Sequence, residues 1–147
     1  MTNDDKNRLM EITEAEAREF GSMAAVLGKK HDAISRLDTN AIQSIVSEEL
    51  EVLNRMRTVE RQRGDILKKA GLKGKDLTDS VVMEKELGRQ DSITYRKLHL
   101  DFQNAFRKVI QLNNISRVLL LHSLGFIRQN IRILTDDGRR KLVDKKA

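Results

Sequence analysis

The chain contains no cysteine, no proline and no tryptophan, and only one tyrosine and four phenylalanines among its 147 residues. Without cysteine there is no disulfide framework, no thiolate metal site and no cysteine nucleophile, so a reducing, cytoplasmic setting is expected. Sheet-forming residues are scarce too: aromatics are 3% of the chain, and alternating runs of Val, Ile or Thr are missing. No run of about 18 apolar residues occurs. The opening stretch Met1 to Leu9 is acidic and polar, where an export signal is basic and then apolar. A soluble, unexported, all-helical protein is predicted.

Charge is plentiful. Asp, Glu, Lys and Arg make up 34% of the chain, and 28 basic residues outnumber 22 acidic ones for a net charge of +6. Residues 1–100 are balanced at 18 against 18, so the whole excess lies in residues 101–147, with 10 against 4. The apolar share of 39% still supplies at least one buried seam, which separates this composition from a disordered one.

From about Asp4 to Ile34 apolar residues recur mostly three, four or seven apart (Leu9, Ile12, Phe20, Met23, Leu27), which predicts an amphipathic helix of about 30 residues. Asp38, Thr39 and Asn40 offer caps for a second start. Ile42, Ile45, Leu53, Met56, Val59 and Ile66 then trace a second stripe that ends at Ala70, with Gly71 as a left-handed stop. A loop from Gly71 to Asp79 leads to a short helix over Ser80–Leu87, closed by Gly88. Asp91 or Ser92 caps a last helix of about 40 residues running to Thr135. Residues 136–147 are almost wholly charged and are expected to form a mobile tail. The predicted fold is all-α. One domain, residues 1–135, forms an elongated antiparallel bundle or coiled coil of three long helices and one short one.

Few residues are equipped for chemistry. His31, His99 and His122 fit no metal-ligand spacing, and Ser123 follows His122 without a glycine-flanked elbow. Gly71 to Asp76 has glycines and lysines but neither the spacing nor the Ser/Thr of a phosphate loop. No catalytic residue, metal or cofactor is expected. The basic clusters Lys29-Lys30, Arg61 with Arg63, Arg139-Arg140-Lys141 and Lys145-Lys146 are scattered, with no aromatics between them to stack bases. That arrangement favours no specific nucleic-acid site, only weak electrostatic affinity.

The informative stretch is Phe102 to Leu134, whose 33 residues include 17 apolar and no acidic ones. A helix packed on one side needs about three apolar positions in seven. Here apolar side chains around Val118 to Leu121 point in every direction, so packing on one side leaves some exposed. Such surface marks a partner site, or else the central helix of a larger bundle or homo-oligomer. Leu120, Leu124, Ile127, Ile131 and Leu134 recur at three or four and form one face. Arg107, Lys108, Arg117, Arg128 and Arg132 flank the strip and favour an acidic partner.

Within this stretch, Asn113 and the pair Leu119-Leu120 resemble the C-terminal pattern of FlgN-type flagellar export chaperones, with Ser116 standing where that pattern has a second Asn. Glu60, Arg63, Leu67 and Gly71 resemble the E-x-x-R spacing before a Leu and a Gly at the end of the family's second long helix. The likeness covers most of the chain. It implies a cytoplasmic, helical, non-enzymatic protein that binds disordered C-terminal segments of hook-filament junction proteins and hands them to the flagellar type III export apparatus. Asn113, Leu119 and Leu120, which match the family pattern, together with Val109, Leu124, Ile127, Ile131 and Leu134 of the apolar strip, are the expected client-binding residues. Family tails place an aromatic before an Asp-Gly associated with docking at the export gate; Thr135-Asp136-Asp137-Gly138 keeps the Asp-Gly without the aromatic. Two other readings stand beside this one: a coiled-coil adaptor whose last helix closes a homo-oligomer, and a basic nucleic-acid-associated bundle.

Overall fold

A computed structural model describes the backbone of residues 1–146 and the side chains of residues 1–119 and 121. Four α-helices and one 3₁₀ turn follow in order: α1 Asn3–Ser35, α2 Thr39–Ala70, the 3₁₀ turn Gly74–Thr78, α3 Ser80–Leu87 and α4 Arg89–Lys146. No strand occurs among the described residues.

The helix ends follow from local chemistry. Thr2 and Asp5 form a reciprocal capping box at the start of α1: the Asp5 N–H donates to Thr2 Oγ1 (3.1 Å) and the Thr2 N–H to Asp5 Oδ2 (3.3 Å). At its other end Asp38 donates its N–H to Ala33 O, and Leu37 to Ile34 O, each at 3.0 Å, a closure that holds Leu37 at φ 52°. Asp38 then accepts from the Ala41 N–H at 3.1 Å and opens α2. Gly71 takes the left-handed position at φ 69°, as its sequence context predicts. One boundary differs from expectation: α4 does not stop at Thr135 but continues to Lys146. Nothing there breaks a helix, since proline is missing and Gly125 and Gly138 each cost only about 1 kcal/mol in a helix interior. The side chains of the charged segment 136–147 lie outside the described residues.

Contacts fix the directions. The pairs Asp5–Lys69 (2.7 Å), Glu16–Arg63 (3.1 Å), Glu19–Arg55 (2.9 Å) and Lys30–Glu49 (2.8 Å) ascend α1 while descending α2, so these two helices are antiparallel. Tyr95 lies against Thr13, Phe102 stands 5.1 Å from Phe20, and Val109 and Leu112 pack on the cluster of Met23, Val26 and Leu27. Both helices ascend in this series, so α4 runs parallel to α1. The 3₁₀ turn and α3 keep the chain at one end of the bundle between the descent of α2 and the rise of α4. Over the described residues α1 packs on both α2 and α4, which barely approach each other.

The seam of α4 alternates steps of three and four from Tyr95 through Leu98, Phe102, Ala105, Val109 and Leu112 to Ser116 and Leu119, all buried or half-buried. That is the spacing of a coiled-coil stripe. The core has two apolar parts. One gathers Leu9, Ile12, Ile66, Leu67, Met83, Leu87 and Tyr95 around the short helix; the other gathers Met23, Val26, Leu27, Ala33, Ile45 and Val52 toward the α1–α2 turn. Between them sits a mixed layer centred on Glu16 and Phe20.

Candidate protein-binding groove

Because α2 and α4 rest on α1 without closing on each other, a groove runs between them with α1 as its floor. At mid-height it deepens into a cavity of about 140 Å³, with Phe20 below, Met56 and Val59 on the α2 side, and Phe102 and Phe106 on the α4 side. The phenylalanines brace one another: Phe20 meets Phe102 edge-on at 5.1 Å and 88°, and Phe106 at 5.5 Å. Nearer the short helix a second cavity of about 270 Å³ lies among Leu77, Met83, Tyr95 and His99. Toward the other end the walls carry apolar side chains left in solvent. On α2, Val46 and Leu50 are 47% and 56% exposed, while Leu53, seven residues before Glu60, is half-buried against the core. Across the groove, Phe106 and Ile110 of α4 keep 42% and 45% of their surface exposed.

The cavity wall is charged. Glu16 is 5% exposed, yet its carboxylate lies 3.1 Å from the Arg63 guanidinium. Burial pushes its pKa up, Arg63 opposes that, and the neighbouring Glu60 carboxylate adds to the rise. Burial, with the negative charge of Glu16 second, pushes the Tyr95 hydroxyl up to about 12. His99 stacks on Tyr95 at 5.7 Å, and burial followed by Arg63 pulls its pKa down. Its Nε2 is buried without a partner, as are His31 Nδ1 and Ser116 Oγ. Among the described residues no set of carboxylates and histidines is arranged to hold a metal ion.

The sequence-predicted site residues divide between core and edge. Val109 packs into the bundle's own core and Leu119 is half-buried in the seam, whereas Asn113, Arg107, Lys108 and Arg117 are exposed. The side chains of Leu120, Leu124, Ile127, Ile131, Leu134, Arg128 and Arg132 lie outside the described residues. In sequence, Leu120, Ile127 and Leu134 follow Phe106 at multiples of seven, and Leu124 and Ile131 follow Ile110 likewise. The family-like spacing in α2 acquires physical meaning: Arg63 binds Glu16 of α1, Leu67 joins the core, Gly71 caps the helix, and Glu60 lines the cavity. Ser116, at the second Asn position, is buried to 1% exposure. Phe20 and Met56 were legible only as stripe residues; their meeting with Phe102 and Phe106 joins segments far apart in sequence.

The described helices leave an open, partly apolar groove between α2 and α4. The chain belongs to the FlgN family, whose model, described as FlgN protein, matches residues 1–142. This is a family of flagellar export chaperones, in agreement with the resemblance carried by Asn113, Leu119-Leu120 and Glu60 to Gly71. No curated protein and no solved structure gives a match to the chain. No helix of the described residues is long and apolar enough to cross a membrane.

Proposed function

We propose that this chaperone acts in the cytoplasm, holding disordered C-terminal segments of hook-filament junction proteins as amphipathic helices along the groove-facing edge of α4 until the export apparatus takes them. The observation that carries this reading is the division of α4. Its seam is occupied by α1, while the adjacent edge exposes Phe106 and Ile110 and continues in sequence through Leu120, Leu124, Ile127, Ile131 and Leu134. A helix laid into such a groove buries its apolar face and becomes an added member of an elongated bundle of three long helices and one short one.

The lengths of the helices support it. Parallel helices rise by the same 1.5 Å per residue, so α1, ending at Ser35 eight residues beyond Leu27, runs out about eight residues beyond the Val109–Leu112 level of α4. From Leu120 onward α1 has no residues left with which to cover an apolar face. Co-expression with hook-filament junction proteins, followed by co-purification, tests the function, and Leu124→Asp with Ile131→Asp tests the strip. Loss of the complex with helicity kept supports the reading; unfolding of the double variant makes those residues core, as the homo-oligomer alternative requires.

A further inference from the structure

We propose that the mid-groove cavity takes the side chain of a lysine or arginine from the bound segment, its aliphatic stem over Phe20, Phe102 and Met56 and its charge against Glu60. This rests on the preceding reading that the groove binds a client segment, and it adds the chemistry of one contact.

Size comes first. Small-molecule sites run to roughly 300–1,000 Å³, whereas about 140 Å³ is the scale of a cavity that accepts one benzene ring, roughly 150 Å³. The space fits one side chain. Charge then selects among side chains. Three carboxylates, Glu16, Glu19 and Glu60, share the wall with one guanidinium, Arg63. Glu16 is engaged by Arg63 and Glu19 by Arg55 at 2.9 Å, while Glu60 takes part in none of the ion pairs among the described residues. Any segment that covers the cavity takes Glu60 out of water. An apolar anchor would leave that carboxylate desolvated without a partner, which is strongly unfavourable. A basic side chain answers both demands: its methylenes lie on apolar surface and its head remains at the charged mouth, with the phenylalanine faces adding attraction for the cation. The basic flank anticipated on α4 therefore does not describe the whole groove, because at this level the wall is acidic.

The experiment uses the full-length chain and peptides covering the C-terminal segment of a hook-filament junction protein. Glu60 is exposed, so Glu60→Lys preserves the fold, as circular dichroism will verify. Calorimetry should show Glu60→Lys binding about tenfold or more weakly than the native chain, with Glu60→Gln between them. Among peptides in which each Lys or Arg is changed in turn to Glu, one should restore affinity for Glu60→Lys. Unchanged affinity in Glu60→Lys while the native chain binds would overturn this inference and leave the chaperone reading standing. So would the lack of any restoring peptide, or a concentration-dependent dimer that Glu60→Lys abolishes, since the occupant would then be a second copy. If the native chain binds no peptide, both readings fall together.

Discussion

Arg63 of α2 reaches across to Glu16 of α1, its guanidinium 3.1 Å from a carboxylate that is 5% exposed, in the layer that separates the two apolar parts of the core. The pair locks the register of the α1–α2 hairpin at the level of the mid-groove cavity. Removing one partner strands the other charge. Arg63→Ala leaves the carboxylate buried alone and should destabilise by about 2–3 kcal/mol, less than the 3–5 kcal/mol typical of fully buried pairs because Arg63 itself is partly solvated. Urea unfolding with the double variant Glu16→Leu, Arg63→Leu checks the assignment: the double change should cost less than Arg63→Ala alone. Additive costs would show that the two groups do not act as a pair.

Two depressed pKa values lower stability in acid, while the raised pKa of Glu16 works in the opposite direction. Asp5 is held at about 2, from an ordinary 3.8, first by its hydrogen bond to Lys69. Its contribution is complete above 3.8 and is lost as pH falls toward 2. His99 is pulled below its ordinary 6.5, so the fold favours the neutral ring, and that contribution declines as pH drops below 6.5. Urea midpoints measured from pH 7 to 3 should fall in two stages. Asp5→Asn should flatten the lower stage and His99→Phe the upper one; a variant that leaves its stage unchanged would rule out its group.

Leu37 occupies a left-handed backbone position at φ 52°, with its side chain 58% exposed and little to offset the strain. Left-handed geometry costs an L-residue roughly 1–2 kcal/mol, part of which glycine returns as greater unfolded-state entropy. Leu37→Gly should therefore stabilise the chain by about 0.5–1 kcal/mol, whereas Leu37→Val should destabilise it, because a branched Cβ fits that region worse. Thermal melts of the two variants should bracket the native chain. A lower melting temperature for the glycine variant would mean that the turn is unstrained.

Much of this arrangement was legible from local signals, and the limits of that legibility have physical causes. Asp38 and Gly71 announce helix ends because caps act through neighbouring atoms, and the stripes of α1 and α2 show because burial repeats with the helical period. The extension of α4 beyond Thr135 was not legible, since a charged segment without a breaker carries no stop signal. Nor was the fate of Val109 and Ile110. They are neighbours of similar hydrophobicity, and only the placement of α1 decides which enters the core. The cavity was hidden for the same reason, its walls coming from three helices, while Glu60 and Arg63 were visible as a spacing without Glu16, the partner of Arg63.

That same division of α4 yields the sharpest contrast between neighbours. Val109 packs against the cluster of Met23, Val26 and Leu27, while Ile110, one residue on, turns about 100° away and remains 45% exposed beside the groove. Val109→Asp places a carboxylate against that core and should cost several kcal/mol of stability. Ile110→Asp should leave the unfolding midpoint within about 0.5 kcal/mol of native, as surface changes do. In a binding titration with a junction-protein segment the order should reverse for Ile110→Asp: folded and helical, yet binding at least about tenfold more weakly, because the proposed site for the client helix would then carry a charge on its apolar edge. Equal client affinity for Ile110→Asp and the native chain would move the site off this edge of α4. A severe loss of stability in Ile110→Asp would make the edge part of a buried interface between copies of the chain.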